Sequence, residues 1–288
     1  MNTVRALLGR ARGLLGAESA EATLDAEVLL AHALGRDRSW LYAWPEHVPE
    51  TGQVEAFEHL LSLRRQGQPI GHLTGEREFW SLPLKISADT LIPRPETEHL
   101  VEIALELELP DDAQVLDLGT GSGAIALALA SERPHWRITA SDRSEAALEI
   151  AQQNATNLGL TRLQWLQGDW FSALSPELCF DLILSNPPYV AEQDPHLRDG
   201  DLRFEPPEAL VSGPDGLDDI RLIAATAPAH LKPAGWLWLE HGSDQGERVV
   251  ELLQHSGFRQ VASRHDLAGQ ERLSGGRWVP DAESGASG

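Results

Sequence analysis

Lysine is nearly absent from this sequence, since Lys85 and Lys232 are the only two among 288 residues. Lysine and arginine together number 23 against 44 aspartates and glutamates, which gives a formal net charge of −21. Proteins that bind nucleic acid need clustered basic residues, because counterion release supplies most of the non-specific affinity. The arginines here are scattered, so direct nucleic-acid binding is not expected, although a local basic groove formed by the fold stays open.

Cysteine occurs once, at Cys179. No internal disulfide can form, and a reducing, cytoplasmic location is expected. The apolar neighbours of Cys179 predict a position in the core.

Long apolar runs are also missing. The longest, from Ala124 to Ala130, is far shorter than the roughly 20 residues needed to cross a bilayer, so no membrane partner is expected. The N-terminus carries Arg5, Arg10 and Arg12 without the apolar segment of a signal peptide. An acid-poor, amphipathic start also resembles a mitochondrial transit peptide, but a first structural helix is the favoured interpretation.

Helical spacing of apolar residues dominates the first 75 positions, as at Val4, Leu7, Leu8 and Ala11. We therefore predict a small helical domain over residues 1–75. Its histidines, at positions 32, 47 and 59, share no metal-ligand spacing, so no metal site is expected. Residues 76–98 are predicted to form a short β-hairpin, at Glu78 to Ser87, and a proline-rich linker.

From residue 99 to residue 279 predicted strands alternate with predicted helices, which is typical of a mostly parallel α/β sheet covered on both faces. One of these helices is predicted from Asp218 to His230. The last strand follows no long helix, so we expect it to pair antiparallel with its predecessor. Residues 280–288 are rich in serine and glycine, and we expect them to be disordered. The length favours two domains, and a monomer is expected.

The tetrad Asn186-Pro187-Pro188-Tyr189 follows an apolar run that ends at Ser185. Proline lacks a backbone N–H, so this segment presents carbonyl oxygens beside the Asn186 side-chain oxygen. A planar NH₂ group has the matching donors, and Tyr189 offers a ring on which a planar group can stack. The tetrad predicts a site for an amide or aromatic amine; the structural alternative is an ordinary turn at the end of a strand.

Three further motifs fall at the ends of predicted strands, where open α/β sheets bind ligands. The run from Asp117 to Gly123 is a glycine-rich turn before a helix. Asp142 ends the next strand and can accept both hydroxyls of a ribose, or else cap a helix. Asp169 and Trp170 offer an acceptor and a ring to an adenine, although Trp170 also fits a core position.

The glycine-rich turn also fits the dinucleotide fingerprint, as Gly119-Thr120-Gly121-Ser122-Gly123-Ala124. Two observations disfavour a nicotinamide cofactor. Asp117 would repel a pyrophosphate but attract the ammonium of an amino-acid-like cofactor. A dinucleotide enzyme would also have no use for the acceptor loop at Asn186.

In this order the motifs resemble those of class I S-adenosylmethionine-dependent methyltransferases that act on nitrogen. Within that class the chain resembles the glutamine methyltransferases of peptide chain release factors, the HemK/PrmC family. The resemblance spans nearly the whole chain and includes the helical N-terminal region, Leu91 to Glu98, Ser185 to Tyr189, Asp194 to Leu197, Arg203 to Pro206 and Leu239 to Gly242.

The resemblance implies methyl transfer from S-adenosylmethionine, leaving S-adenosylhomocysteine, to the glutamine amide nitrogen of a Gly-Gly-Gln motif in release factors. It implies cofactor contacts at Gly119, Thr120, Gly121, Ser122, Gly123, Asp142 and Trp170, and substrate contacts at Asn186, Pro187, Pro188 and Tyr189. Asp169, beside Trp170, and Asn186 complete the predicted cofactor contacts.

An amide nitrogen is a poor nucleophile and becomes more positive as it attacks a methyl group. The Asn186 side-chain oxygen and the Pro187 carbonyl oxygen can each accept one N–H, which orients the nitrogen and stabilises the growing charge. We predict these two residues as catalytic and predict no general base.

Two other functions stay open. An adenine amine in nucleic acid could use the same acceptor loop, although the net charge disfavours it. A binding module could also keep the fold without the activity. Glu205 either orders the site or lies on the surface, and the proline-rich linker either starts a helix or covers the site.

Overall fold

A computed structural model of the chain describes residues 2–16, 20–198, 200–266 and 268–280. The predicted disordered tail therefore lies outside the described residues except for Pro280. The chain divides into two compact units. The first takes in the residues up to Glu76 together with the segment Arg198–Phe204, and the second takes in Arg77–Leu197 and the residues from Glu205 onward. No helix in the described ranges combines the length and apolar character needed to span a membrane.

The first unit is helical. Its helices are α1 (Val4–Leu15), α2 (Ala20–Leu34), α3 (Arg38–Ala43), α4 (Thr51–Arg65) and α5 (Ile70–Thr74). Leu7, Leu29, Leu30 and Phe57 form the centre of its core and are at most 1% exposed. Burial of these side chains stabilises the unit by about 2 kcal/mol each.

The segment Arg198–Phe204 joins the helical unit although it follows the tetrad in sequence. The Arg64 guanidinium donates to Asp201 at 2.8 Å and to Asp25 at 2.8 Å. The Arg203 guanidinium donates to the Gln66 carbonyl oxygen. These contacts hold the segment to α4 through charge-assisted hydrogen bonds.

A hairpin follows, formed by β1 (Glu76–Phe79) and β2 (Leu82–Lys85). Trp80 and Ser81 make its two-residue turn with φ values of 53° and 58°. Such turns need positive φ at both positions, because their backbone twist matches that of the strands. The hairpin was predicted, with boundaries about two residues later.

The second unit contains a seven-stranded sheet. Its strands are β3 (Gln114–Leu118), β4 (Arg137–Asp142), β5 (Gln164–Gln167), β6 (Phe180–Ser185), β7 (Leu231–Glu240), β8 (Phe258–His265) and β9 (Glu271–Trp278). Its helices are α6 (Glu98–Glu106), α7 (Ala124–Glu132), α8 (Glu145–Leu158), α9 (Asp218–Thr226) and α10 (Gly246–His255). The strand order is β5-β4-β3-β6-β7-β9-β8, and only the two pairs that include β9 are antiparallel.

Alternate residues of the central strands enter two different cores. Val115 and Leu182 pack with α6, α7 and α8 on one face of the sheet. Leu116 and Ile183 pack with α9 and α10 on the other face. Both faces are therefore covered, as parallel sheets require. The predicted fold class, a mostly parallel sheet with one antiparallel strand beside a helical region, is confirmed.

Three details differ from the sequence prediction. The last strand, β9, pairs with β8 as predicted but also inserts between β8 and β7. The helix expected from Asp218 to His230 ends at Thr226 and continues as a 3₁₀ turn, because Pro228 has no N–H and cannot continue the α-helical ladder. Cys179 is only partly buried, since it precedes β6 rather than lying within it.

Candidate functional site

The candidate site lies where the strand order reverses. From β3 the chain continues to β4 and β5 on one side of the sheet and then to β6 and β7 on the other. Such a reversal opens a crevice at the carboxyl ends of the strands. A cavity of about 350 Å³ occupies it, which is within the range of small-molecule sites.

The four predicted motifs meet at this cavity. Its wall includes Gly119, Gly121, Asp142, Asp169, Trp170, Asn186 and Pro188. They come from the ends of β3, β4, β5 and β6, which are neighbours in the sheet.

The glycine-rich turn is held from behind. Gly119, Gly121 and Gly123 all have positive φ, between 56° and 86°, a region that glycine enters without steric cost. Gly119 and Thr120 donate their N–H groups to the Ser141 carbonyl oxygen, both at 2.9 Å. The turn is thereby fixed to the end of β4, with two of its glycines facing the cavity.

The other residues of the turn face away from the cavity. Thr120 and Ser122 are buried, and the Ser122 carbonyl oxygen accepts a hydrogen bond from Asn154 of α8 at 2.9 Å. A Cβ added to Gly123 would lie 3.0 Å from Leu127 and 3.1 Å from Ala151. These three predicted cofactor residues therefore shape the turn.

Asp117 is fully buried beneath the turn. Its Oδ2 accepts hydrogen bonds from the Thr120 hydroxyl at 2.6 Å and from the Ala126 N–H at 3.2 Å. Its Oδ1 has no hydrogen-bond partner among the described residues. Burial raises the pKa of Asp117 to about 7 against these hydrogen bonds, and the charge of Asp142 raises it further. Asp117 thus holds the turn and the start of α7 and does not form part of the cavity wall.

Asp142 uses both carboxylate oxygens to order the backbone. Oδ2 accepts from the Gly121 N–H and Oδ1 accepts from the Ser144 N–H, both at 2.9 Å. Ser144 itself caps α8 by accepting from the Ala147 N–H. Each carboxylate oxygen has a second lone pair, so Asp142 can still accept ligand hydroxyl groups from its place on the cavity wall.

Trp170 forms another part of the wall. Its backbone has φ of 47°, and its indole N–H donates to the Asp219 carboxylate at 3.1 Å. A Cβ added to Gly119 would lie 3.4 Å from the Trp170 ring. The ring is therefore oriented by Asp219 beside the glycine-rich turn, with Asp169 next to it on the wall.

The tetrad divides between the cavity and the structure behind it. Asn186 and Pro188 line the cavity, Pro187 is buried, and the Tyr189 ring packs against the core on the α9 side of the sheet. The Tyr189 hydroxyl donates to Glu240 Oε1 at 3.3 Å, and burial raises its pKa.

The Asn186 amide is held from one side only. Its Nδ2 donates to the Thr97 hydroxyl oxygen at 3.1 Å. Its Oδ1 is buried and has no hydrogen-bond partner among the described residues. A buried acceptor without a donor is costly, so this oxygen fits a ligand that donates an N–H.

Glu205 lies in the interior, which decides between the two roles left open for it. It is 3% exposed. Its Oε2 accepts from the Ile92 N–H at 3.0 Å, and its Oε1 accepts from the Arg94 guanidinium. The adjoining Leu91 lines the cavity. Glu205 therefore fixes the proline-rich linker to the wall of the site.

The cavity is acidic. Its wall carries five carboxylates and, in the part of the chain that is described, one cationic side chain, Arg143. The carboxylates belong to Asp89, Asp142, Asp169, Glu208 and Asp219. Such a wall attracts a cationic ligand and repels a pyrophosphate.

Sequence reasoning missed several of these residues. Glu208 and Asp219 lie in a loop and a helix start far along the chain, and no local pattern connects them with the glycine-rich turn. Glu240 could have been identified from the sequence, because it ends β7 at the same edge of the sheet as the four motifs.

Three features together define a class I methyltransferase. They are the antiparallel strand β9, the glycine-rich turn after the first strand of the sheet, and the acidic cavity. Residues 97–199 match the family described as methyltransferase small domain, and residues 6–75 match the PrmC N-terminal domain. A release factor glutamine methyltransferase from Shewanella oneidensis is 50% identical over 265 residues, 92% of each chain. One from Pseudomonas aeruginosa is 52% identical over 262 residues, 91% of this chain and 95% of that protein. The chain belongs to the release factor glutamine methyltransferase family, which confirms the resemblance found in the sequence.

A solved structure of a methyltransferase from Pyrococcus furiosus matches with a TM-score of 0.52 and 19% sequence identity. The match covers 69% of this chain and 89% of that one. At this identity the likeness concerns the fold alone.

Proposed function

We propose that this protein methylates the side-chain amide nitrogen of the glutamine in the Gly-Gly-Gln motif of peptide chain release factors. The observation that carries the proposal is the buried Asn186 Oδ1, which has no donor among the described residues and belongs to a residue of the cavity wall. A primary amide supplies the missing N–H. The relatives from Shewanella oneidensis and Pseudomonas aeruginosa are release factor glutamine methyltransferases, so a release factor is the protein that would present this amide.

The residues of the cavity fit S-adenosylmethionine. When bound, it supplies a methyl group on a positively charged sulfur, which the amide nitrogen takes with loss of one proton. The acidic wall matches the two positive charges of this cofactor, and Asp142 has free lone pairs for ribose hydroxyls. Trp170 and Asp169 would contact the adenine, and the backbone of Gly119 to Gly123 would allow the close approach of the ligand.

Asn186 and Pro187 would orient the substrate. The Asn186 Oδ1 accepts one N–H of the glutamine, and the Pro187 carbonyl oxygen accepts the other. Both negative ends face the nitrogen as it becomes positive, so they stabilise that charge. Pro188 and Tyr189 complete the loop, with Tyr189 anchored to Glu240. The released proton goes to water, because an amide that carries a positive charge is acidic enough to lose it.

The helical region would bind the body of the release factor, as the family resemblance implies. A nucleic-acid base is the weaker candidate, because the chain has a net charge of −21 and the cavity wall is acidic.

The test is methyl transfer to a purified bacterial release factor, followed by mass spectrometry of its Gly-Gly-Gln peptide. Wild-type enzyme should add one methyl group to the glutamine. Asn186→Ala should reduce the rate by about 10²- to 10³-fold, the usual effect of removing one fixed hydrogen-bonding group from a charged transition state.

Asn157→Ala provides the matched control, because Asn157 is exposed on α8. The control should retain the wild-type rate. Unmethylated peptide after reaction with wild type, or equal rates for Asn186→Ala and Asn157→Ala, would contradict the proposal.

A further inference from the structure

We infer that Thr97 and Glu240 are positioning residues, which fix the Asn186 amide so that its oxygen, and not its nitrogen, faces the substrate. The expected effect of these residues on catalytic rate rests on the proposed function, whereas the hydrogen bonds between them do not. The hydrogen-bond chain itself runs from Glu240 through Thr97 to Asn186.

The direction of each hydrogen bond between Glu240, Thr97 and Asn186 follows from the number of donors and acceptors that each side chain has. Glu240 Oε2 and Thr97 Oγ1 are 2.7 Å apart, with the Thr97 hydroxyl donating. Burial raises the pKa of Glu240 to about 7, so above that pH its carboxylate is ionised and can only accept. The single Thr97 hydroxyl hydrogen is therefore used on Glu240. The Thr97 oxygen can therefore only accept a hydrogen bond from Asn186, so Asn186 must turn its NH₂ group toward Thr97. Its Oδ1 then points away from Thr97, without a partner among the described residues.

Rotating the Asn186 side-chain amide by half a turn would exchange the positions of its acceptor oxygen and its NH₂ donor group. With the NH₂ group toward the substrate, two sets of N–H donors would face each other, and the substrate amide would lose an acceptor. Asn186 has only one side-chain hydrogen bond within the described residues, so Thr97 is the group that distinguishes the two orientations. Thr97 is 3% exposed, which excludes water as an easy substitute.

Glu240 is itself held in place. It is 1% exposed and lies at the end of β7. Its second oxygen accepts from the Tyr189 hydroxyl at 3.3 Å. Glu240 thus connects two residues of the tetrad, Asn186 through Thr97 and Tyr189 directly. Neither Thr97 nor Glu240 lines the cavity, so both act through Asn186.

The first test replaces Thr97 by valine, which keeps the shape and removes the hydroxyl, and by serine, which keeps the hydroxyl. Thr97→Val should lower kcat for release-factor methylation by about 10- to 100-fold, the range seen when a partner that orients a functional group is removed. Its dissociation constant for S-adenosylmethionine, measured by calorimetry, should stay within about twofold of wild type. Thr97→Ser should restore kcat to within a few-fold of wild type.

The second test needs no activity. In nitrogen-15 spectra of the full chain, the Asn186 side-chain NH₂ signal is identified by its loss in Asn186→Ala. In wild type and Thr97→Ser one of its hydrogens should exchange slowly with water. In Thr97→Val this protection should fall by tenfold or more. Glu240→Met should have the same effect even though it keeps Thr97, because the freed hydroxyl can then donate to Asn186 Oδ1.

The outcomes separate the two proposals. Loss of protection in Thr97→Val while wild type fails to methylate release factor would support the hydrogen-bond chain and overturn the proposed function. Unchanged protection in Thr97→Val and Glu240→Met, or a kcat for Thr97→Val equal to that of wild type in an active enzyme, would overturn the inference.

Discussion

Glu240→Gln should stabilise the protein at alkaline pH relative to wild type, although Glu240 belongs to the hydrogen-bond chain behind the site. The cause is burial, which raises the pKa of Glu240 to about 7 from an ordinary value of 4.5. Hydrogen bonds from Thr97 and Tyr189 and the charge of Arg272 oppose this shift, and the charge of Glu96 adds to it. Glutamine fills the same space and has no charge to bury.

The magnitude follows from linkage. A raised carboxyl pKa means that folding favours the protonated form, so the contribution of Glu240 to stability is fully present below about pH 4.5. It is lost as the pH rises through 7. A tenfold change in a protonation equilibrium corresponds to about 1.4 kcal/mol. The pKa of Glu240 rises from 4.5 to about 7, so the whole loss of stability is about 3 kcal/mol. About 2 kcal/mol of this falls between pH 5.5 and pH 8.5.

The assay is denaturant unfolding of wild type and Glu240→Gln at pH 5.5 and pH 8.5, with analysis of the transition of the unit that contains the sheet. The free energy of unfolding of the variant, relative to wild type, should increase by about 2 kcal/mol between the two pH values. Glu149→Gln, on the exposed face of α8, should show no such increase. A difference for Glu240→Gln that is constant with pH would refute the reasoning.

Two further changes probe the loops around the site. Glu205→Ala leaves Arg94 and the Ile92 N–H without their buried partner, so it should cost about 3 kcal/mol of stability and weaken S-adenosylmethionine binding. Denaturant unfolding and calorimetry measure these effects, and wild-type values for both would contradict the role of Glu205. Gly216→Ala would place a Cβ 2.3 Å from the Tyr189 carbonyl oxygen at φ of 77°, so it should cost about 2 kcal/mol and lower methylation. Unchanged thermal unfolding would contradict the close approach.

The parts of the site that could be predicted from the sequence are those whose residues lie at the ends of strands. The glycine-rich turn, Asp142 and the tetrad each end a strand, and parallel strands bring such ends to one edge of a sheet. Their meeting at one cavity could therefore be predicted before the fold was known. The antiparallel direction of β9 could be predicted too, because no helix precedes it.

Other parts of the site depend on packing that no local pattern records. The burial of Asp117 follows from its position in β3 beneath the turn that it supports, so it lies behind the cavity wall and not on it. The contacts of Glu205 and Thr97 join residues more than 80 positions apart. Glu205 stood in a loop with no periodicity, and Thr97 looked like part of a helix start. Only the folded chain shows that both hold elements of the site.

The central claim is tested most directly in a bacterial lysate that lacks its own release factor glutamine methyltransferase. The lysate is incubated with this protein and S-adenosylmethionine that carries an isotopically labelled methyl group, and the labelled residue is located by mass spectrometry. We predict label on the glutamine of the Gly-Gly-Gln motif of release factors, and labelling that is slower by about 100-fold or more when Asn186→Ala replaces the wild type. Label on an adenine of nucleic acid, or on another residue of the release factors, would contradict it.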